Sequence, residues 1–367
     1  MLSLQLYKDL TSMNNNKVII SGIQQTGIGV PEVYPAWDWY KTHFGVKVKM
    51  FDEKAIADIM APYMGGAERP RHAILALNLQ GGGGFEIWQH TSHAPHPAPF
   101  DILPGDLGIF ACKIKSKNVD ESHRFLSEKK ADISPVFTDK DGKKSFFVRD
   151  PYKNLFQIVA GDNWYMNRHF HCGGVYGVMI GTQDMEKSMA FYKNILEYDV
   201  VLSDQSGTFD DFSYLGTPGQ FRRVLLTHSQ ARKGSFSKVF GNSQIELVQS
   251  LDRTDIHKIF DGRMWGDIGF IQLCFDVTNM TALEKRCEEY GYPFTIDSRK
   301  KSGRFDMGEA TGHFAYNEDP SGTLVEYVET EKIPLLKKMG IYLNLKNKNR
   351  EKPLPDILLH LLRLMEQ

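Results

Sequence analysis

The sequence predicts an α+β fold of four β-α-β-β-β modules followed by a C-terminal helix, and three observations lead there. The 367-residue chain is self-similar: four pairs of segments recur in the same order, each pair roughly 150 to 170 residues apart. That is the mark of an internal duplication. Within each copy the apolar spacing changes from alternation, which suits a strand, to the longer period of a helix. Asp-Pro at 150–151 and again at 319–320 is a tight-turn signal between two closing strands.

The elements follow in order. IQQTGIGVPEVYPAWDWYKTHFGVKV from Ile23 matches VYGVMIGTQDMEKSMAFYKNILEYDV from Val175. Each is an alternating run and then a helical run with an aromatic-Tyr pair, Trp39-Tyr40 or Phe191-Tyr192. GFEIWQHT and QIELVQSL are short strands that carry Glu86 and Glu246 at the same point. GDLGIFACKIKS from Gly105 and GDIGFIQLCFDV from Gly266 are strands leading to the helices VDESHRFLSEKKA and MTALEKRCEEYG. VRDPYKNLFQIV and NEDPSGTLVEYV close each copy with a hairpin. Because a strand, a helix and further strands occur twice in each copy, the modules fall at 18–97, 104–162, 171–252 and 264–331. They group into domains 18–162 and 171–331, between an N-terminal extension 1–17 and a helical tail 332–367. KPLPDILLHLLRLMEQ spaces its leucines as an amphipathic helix does, to cap the body or to meet a partner.

Composition narrows the function. With 41% hydrophobic residues the chain can bury a large core. A net charge of -1 gives no electrostatic grip on nucleic acid. The short basic clusters Arg222-Arg223 and Lys300-Lys301 read as solvated surface. Cys112, Cys172, Cys274 and Cys287 show no CxxC spacing, so reduced thiols and a cytoplasmic location are expected. MLSLQLYKDLTSMNNNK holds no apolar run of signal-peptide length, and no stretch approaches the roughly 18 apolar residues of a membrane span. The expected partner is a small-molecule substrate, with no nucleic acid and no membrane, and the chain is expected as a monomer or homodimer.

This order of pieces resembles the vicinal oxygen chelate superfamily, which includes glyoxalase I, methylmalonyl-CoA epimerase, bleomycin-resistance proteins and extradiol dioxygenases. The resemblance covers roughly residues 18 to 331. It is carried by the strand-helix pieces ending WYKTHFG and FYKNILEY, the mid-strand acids of FEIWQ and IELVQ, and the closing DPYKNLFQIV and DPSGTLVEYV. It implies two paired half-barrels, each formed by two modules around one site, with ligands from the first and last strands of the modules.

Glu86 lies between Phe85 and Ile87 in a strand-forming stretch, where an unpaired charge is costly unless something repays it. A metal ion is the expected partner. Counting back fifteen residues from Tyr40 reaches Gln25 at the first-strand position, and the same count from Tyr192 reaches Gly177. The equivalent count reaches Gln272 in module four and Ala111, or Ile109, in module two. The last strands offer Glu86, Gln157, Glu246 and Glu326. Pairing neighbouring modules gives the sets Gln25, Glu86, Gln157 and Glu246, Gln272, Glu326. Pairing the outer modules gives one complete set, Gln25, Glu86, Gln272 and Glu326, and one dead site.

The second arrangement is favoured, since it is similar to the Gln, Glu, His, Glu pattern of eukaryotic-type glyoxalase I, with Gln272 in place of histidine. Loss of the imidazole weakens zinc and copper binding and shifts preference toward harder ions. The expected cofactor is a divalent ion, Zn, Ni, Co, Mn or Mg. Glu326 matches the base in glyoxalase-like members, and strand alternation puts Trp88, Phe314 and Tyr316 on the pocket walls, or simply in the core. The resemblance implies a lyase, isomerase or epimerase working by proton transfer alpha to a carbonyl. A metal-free binding protein of the bleomycin-resistance type is the alternative; an oxygenase needs two histidines and a carboxylate where this chain has Gly177, Gln272 and Glu326.

Other candidates are weaker. His90, His93 and His96 in QHTSHAPHPAPF, and His169 and His171 in NRHFHCGG, read as surface or loop histidines, the first group a possible flap. His313 is a candidate replacement for the missing imidazole. The run Gly81 to Gly84 lacks the GK[ST] ending of a phosphate loop and suits a turn that lets the Glu86 strand approach closely.

Overall fold

In the computed structural model, residues 17–301, 305–306, 311–336, 341–345 and 350–367 are described; residues 1–16 of the expected N-terminal extension lie outside them. Module one comprises β1 (Ile19–Gly29), α1 (Val33–Phe44), β2 (Val48–Ile56), β3 (Pro70–Leu77) and β4 (Gly84–His90). Module two comprises β5 (Gly108–Ser116), α2 (Val119–Glu128), the two-residue strands β6 (Asp132–Ile133) and β7 (Phe137–Thr138), β8 (Lys144–Arg149) and β9 (Leu155–Ala160). Module three comprises β10 (Cys172–Gly181), α3 (Met185–Leu196), β11 (Val200–Gly207), α4 (Asp210–Tyr214), β12 (Phe221–Thr227), α5 (Ser237–Phe240) and β13 (Gln244–Ser250). Module four comprises β14 (Gly269–Thr278), α6 (Met280–Glu289), β15 (Ile296–Asp297), α7 (Ser298–Lys301), β16 (Phe305–Asp306), β17 (Thr311–Glu318) and β18 (Leu324–Leu336).

Two sheets result. One runs β15-β17-β18-β14-β1-β4-β3-β2, the other β11-β12-β13-β10-β5-β9-β8-β6. The first therefore joins module one to module four, and the second joins module two to module three. The central strands β1, β5, β10 and β14 are almost wholly buried, their polar residues Gln25, Lys113 and Gln272 included.

The hydrogen-bonded sheets do not follow the sequence halves, yet the halves are stapled in another way. The Tyr40 hydroxyl of α1 donates to Asp150 in the module-two turn at 2.6 Å, and the Tyr192 hydroxyl of α3 donates to Asp319 in the module-four turn at 3.0 Å. Each aspartate also accepts backbone N–H groups of its own turn, from Tyr152 and Asn154 or from Ser321 and Thr323. The repeated aromatic-Tyr pair and the repeated Asp-Pro are thus the two ends of one buried contact. Burial raises both carboxyls, that of Asp319 to about 6.

The glycine run is a close-approach turn. Gly82 and Gly83 have φ of 77° and 68°, and a Cβ on Gly82 would sit 1.6 Å from the Val239 carbonyl oxygen.

The tail 332–367 carries a strand before its expected helix. Strand β18 runs on to Leu336 and pairs with β19 (Ile341–Asn344). Among the described residues of the tail, helical structure begins at α8 (Asp356–His360), which passes into a 3-10 turn at Leu361–Met365. Leu354, Leu359 and Leu362 are buried against Leu75, Leu77 and Val48, so this segment caps the body.

Candidate functional site

Strand register positions the site. In β1 and β4, Gly27 lies opposite Glu86; in β14 and β18, Cys274 lies opposite Glu326. Two residues earlier on each first strand, on the same face by the period of two, stand Gln25 and Gln272. In the other sheet the same register puts Lys113 opposite Gln157 and Met179 opposite Glu246, with Ala111 and Gly177 two residues earlier.

The structure brings Gln25, Glu86, Gln272 and Glu326 together. Gln272 Nε2 donates to Glu86 Oε2 and to Glu326 Oε2, each at 2.8 Å. Gln25 Nε2 reaches the same two oxygens at 3.2 and 3.5 Å. Gln25, Gln272 and Glu326 are buried and Glu86 is nearly so. No Cβ fits at Gly27, because Gln272 Cδ would lie 2.8 Å from it; the glycine leaves the space that the carboxamide fills.

Two carboxylates held this close in a buried site disfavour each other's charge. Burial and then the Glu86 charge push the Glu326 carboxyl up to about 8, against hydrogen bonds from Cys274, Tyr316 and Gln272. Burial also raises Glu86, partly offset by the charge of Arg71. Arg71 itself is engaged by Glu53 at 2.7 Å.

The equivalent acid in the second sheet has the opposite environment. Glu246 receives Lys113 Nζ at 2.5 Å, Arg223 Nη2 at 2.6 Å and Arg223 Nε at 2.7 Å. Lys113 Nζ also donates to Gln157 Oε1 at 2.7 Å, and Arg223 to Asp211 at 2.9 Å. Although burial opposes it, these two cations bring the Glu246 carboxyl down to about 2. Arg223, expected on the solvated surface, is instead turned inward and only partly exposed, because the Glu246 and Asp211 carboxylates hold it there.

A cavity opens from the four-residue cluster. Trp88, Phe314 and Tyr316 line it, together with Gln25, Glu86 and Glu326. Its remainder is largely apolar, walled by Phe51, Leu75, Phe236, Phe240, Leu362 and Met365 among others. Among the described residues, three polar atoms of this lining are buried with no hydrogen bond: Gln25 Oε1, Trp88 Nε1 and His313 Nδ1. Buried polar groups are normally paired, so each of these three calls for a partner. His313 lines the cavity but stays outside the four-residue cluster, its Nε2 lying 3.6 Å from Glu331 Oε1.

Trp265 was not legible as a site residue. Its indole N–H donates to Gln272 Oε1 at 2.7 Å, which fixes the carboxamide with its nitrogen toward both acids. Its segment, RMWGDIG, offers only a tryptophan shortly before Gln272 as a signal.

Fold and site define a protein of paired β-α-β-β-β half-barrels in which two glutamines of first strands meet two glutamates of last strands. Residues 177–316 match the family model of the glyoxalase/bleomycin resistance protein/dioxygenase superfamily. Among solved structures it is similar to a mutant form of glyoxalase I from Zea mays, at 14% identity and a TM-score of 0.53, covering 86% of this chain and 94% of that one. It is also similar to a Bacillus subtilis chain provisionally described as a dioxygenase, at 13% identity and a TM-score of 0.51, covering 85% and 86%. At these identities the likeness concerns the fold. No curated protein sequence matches the chain.

Proposed function

We propose that the chain is a metal-dependent lyase, isomerase or epimerase that moves a proton alpha to a carbonyl, with Gln25, Glu86, Gln272 and Glu326 around the ion and Glu326 as the base. One observation carries this reading. Glu86 and Glu326 share a buried site with no side-chain cation bonded to either among the described residues, whereas their counterpart Glu246 is neutralised by Lys113 and Arg223.

The residues fit a divalent ion of the oxygen-binding kind. Two carboxylates supply negative charge, and Gln25 Oε1 is a buried acceptor with no partner among the described residues. Gln272 is different, since its oxygen is taken by Trp265. It joins the donor set only by turning its carboxamide over; as it stands it clamps both acids in place. A bound ion would supply a positive charge that polarises a substrate carbonyl.

The chain's own groups supply the rest. Glu326, once charged, is the acceptor for the proton removed from the substrate carbon. Tyr316, opposite it across β17 and β18, hydrogen-bonds and steadies it. The Trp88 indole N–H is a free donor for a substrate oxygen. The apolar length of the cavity suits a substrate with oxygens at one end and an apolar body, and excludes water from the reacting end.

The test is elemental analysis of protein purified without added metal, combined with assay of Glu326→Gln against small carbonyl substrates. Bound divalent metal and loss of turnover support the proposal. A metal-free protein that binds its ligand equally well after Glu326→Gln is instead a binding protein.

A further inference from the structure

We propose a second cation site, outside the cavity, formed by His90, His93 and Asp267 and suited to a zinc-class transition ion. One ligand atom from each of the three lies within 4.8 Å of the others. None of the three lines the cavity.

The side chains are placed as ligands rather than as loop decoration. Glu86, Trp88 and His90 alternate along one face of β4. The strand thus carries the acid, then the tryptophan wall, then this histidine. His90 was expected in a surface loop, yet it is only 2% exposed, and neither ring nitrogen makes a well-formed hydrogen bond. The Trp265 backbone is close enough only to bias its protonation. Leaving such a group buried and unpaired is costly, so its retention calls for a partner. The His93 ring packs on it at a centroid distance of 4.2 Å, with Nδ1 on Ser92 and Nε2 unpartnered.

Asp267 completes the set from the turn just before β14. It is 1% exposed, and its carboxylate oxygens accept the backbone N–H groups of His96 at 2.8 Å and Met264 at 2.9 Å. Such outer hydrogen bonds orient a ligating carboxylate and leave further lone pairs for an ion. Two imidazoles and one carboxylate make a borderline donor set, which favours zinc over magnesium. A fourth position is open to water or to His96, whose exposed ring lies 6.3 Å from that of His93. Arg69 and Arg263 are the opposing charges nearby.

An ion here would tie the loop after β4 to the turn that carries Trp265. Trp265 packs edge-on against Trp88 at 4.7 Å, and Gly266 lies so close to Trp88 that a Cβ would come within 2.1 Å of its ring. The second site would therefore hold the tryptophan wall and the clamp on Gln272 from outside.

The experiment is titration of chelator-stripped full-length protein with Zn²⁺, read as bound equivalents and as melting temperature. In a Glu86→Gln, Glu326→Gln background one equivalent should still bind and raise the melting temperature by roughly 5 °C. Adding His93→Ala, in a partly exposed loop, should abolish both effects. Absence of that equivalent, or its persistence in His93→Ala, overturns the inference. Should the double variant fail to fold, the single variants decide: His93→Ala must lower zinc stoichiometry by one relative to the unaltered chain. Loss of an equivalent only in Glu326→Gln supports the cavity site and overturns this one.

Discussion

Lys113 Nζ lies 2.5 Å from Glu246 Oε2, at the strand position that in the other sheet is Gly27 opposite Glu86. One pair of modules thus carries its cation in the polypeptide. The other keeps the acids and leaves the corresponding space without a side-chain cation among the described residues.

Replacing Lys113 tests that substitution of roles. Lys113→Met leaves Glu246 buried with Arg223 alone and should cost about 2–4 kcal/mol in chemical denaturation. The Glu246 carboxyl, held at about 2, gives stability that is present above its unfolded value and lost as pH falls from about 4.5 toward 2. That acid limb, about 3 kcal/mol deep by the size of the shift, should shrink in Lys113→Met; an unchanged limb would show that Lys113 contributes nothing.

Glu326 predicts the opposite dependence for metal-free protein. Its folded carboxyl, near 8, lies above the unfolded value, so its contribution is full below about pH 4.5 and fades as pH rises through 8. The melting temperature of chelator-treated protein should therefore fall between pH 5 and 9. Glu326→Gln should flatten the curve, and so should saturating divalent ion. A metal-free curve with no slope in that window contradicts the shared-site account.

The Trp265 clamp yields a gain-of-affinity prediction. In Trp265→Phe the Gln272 carboxamide loses the partner that holds its oxygen away and can turn toward the ion. Affinity for Mn²⁺ or Mg²⁺ should rise by about 5- to 10-fold, as expected for release of one hydrogen bond of about 1 kcal/mol. Calorimetric titration of the variant beside the unaltered chain decides it, and weaker ion binding would show that Gln272 serves only as a clamp.

Gly82→Ala should be among the most damaging small substitutions. Positive φ and the Val239 carbonyl 1.6 Å from the added carbon both oppose it. A loss of more than about 3 kcal/mol is expected from strain and overpacking combined. A urea midpoint unchanged from the parent would mean the turn relaxes freely.

The repeats made much of this legible. Each module announced its strand and helix through a change of period, and the register that places Gln25 and Gln272 follows from chain counting because strands have a rigid repeat. Tyr40 and Asp150 were each visible as repeated features, but not as partners, since contact across about a hundred residues leaves no local trace. Lys113 escaped because a lysine in an alternating strand reads as solvent-facing; only the Glu246 carboxylate, on a distant strand, makes its burial tolerable. Arg223 was misread for the same reason. Trp265 and Asp267 act from a turn with no periodicity, where sequence spacing says little about direction.

The most direct measurement is Mn²⁺ binding to chelator-stripped protein, followed by electron paramagnetic resonance, in the unaltered chain, Glu326→Gln and Glu246→Gln. One ion should bind the unaltered chain and Glu246→Gln alike, with affinity reduced at least about 100-fold in Glu326→Gln. Equal binding by all three, or no binding by any, would contradict a cation held between Glu86 and Glu326.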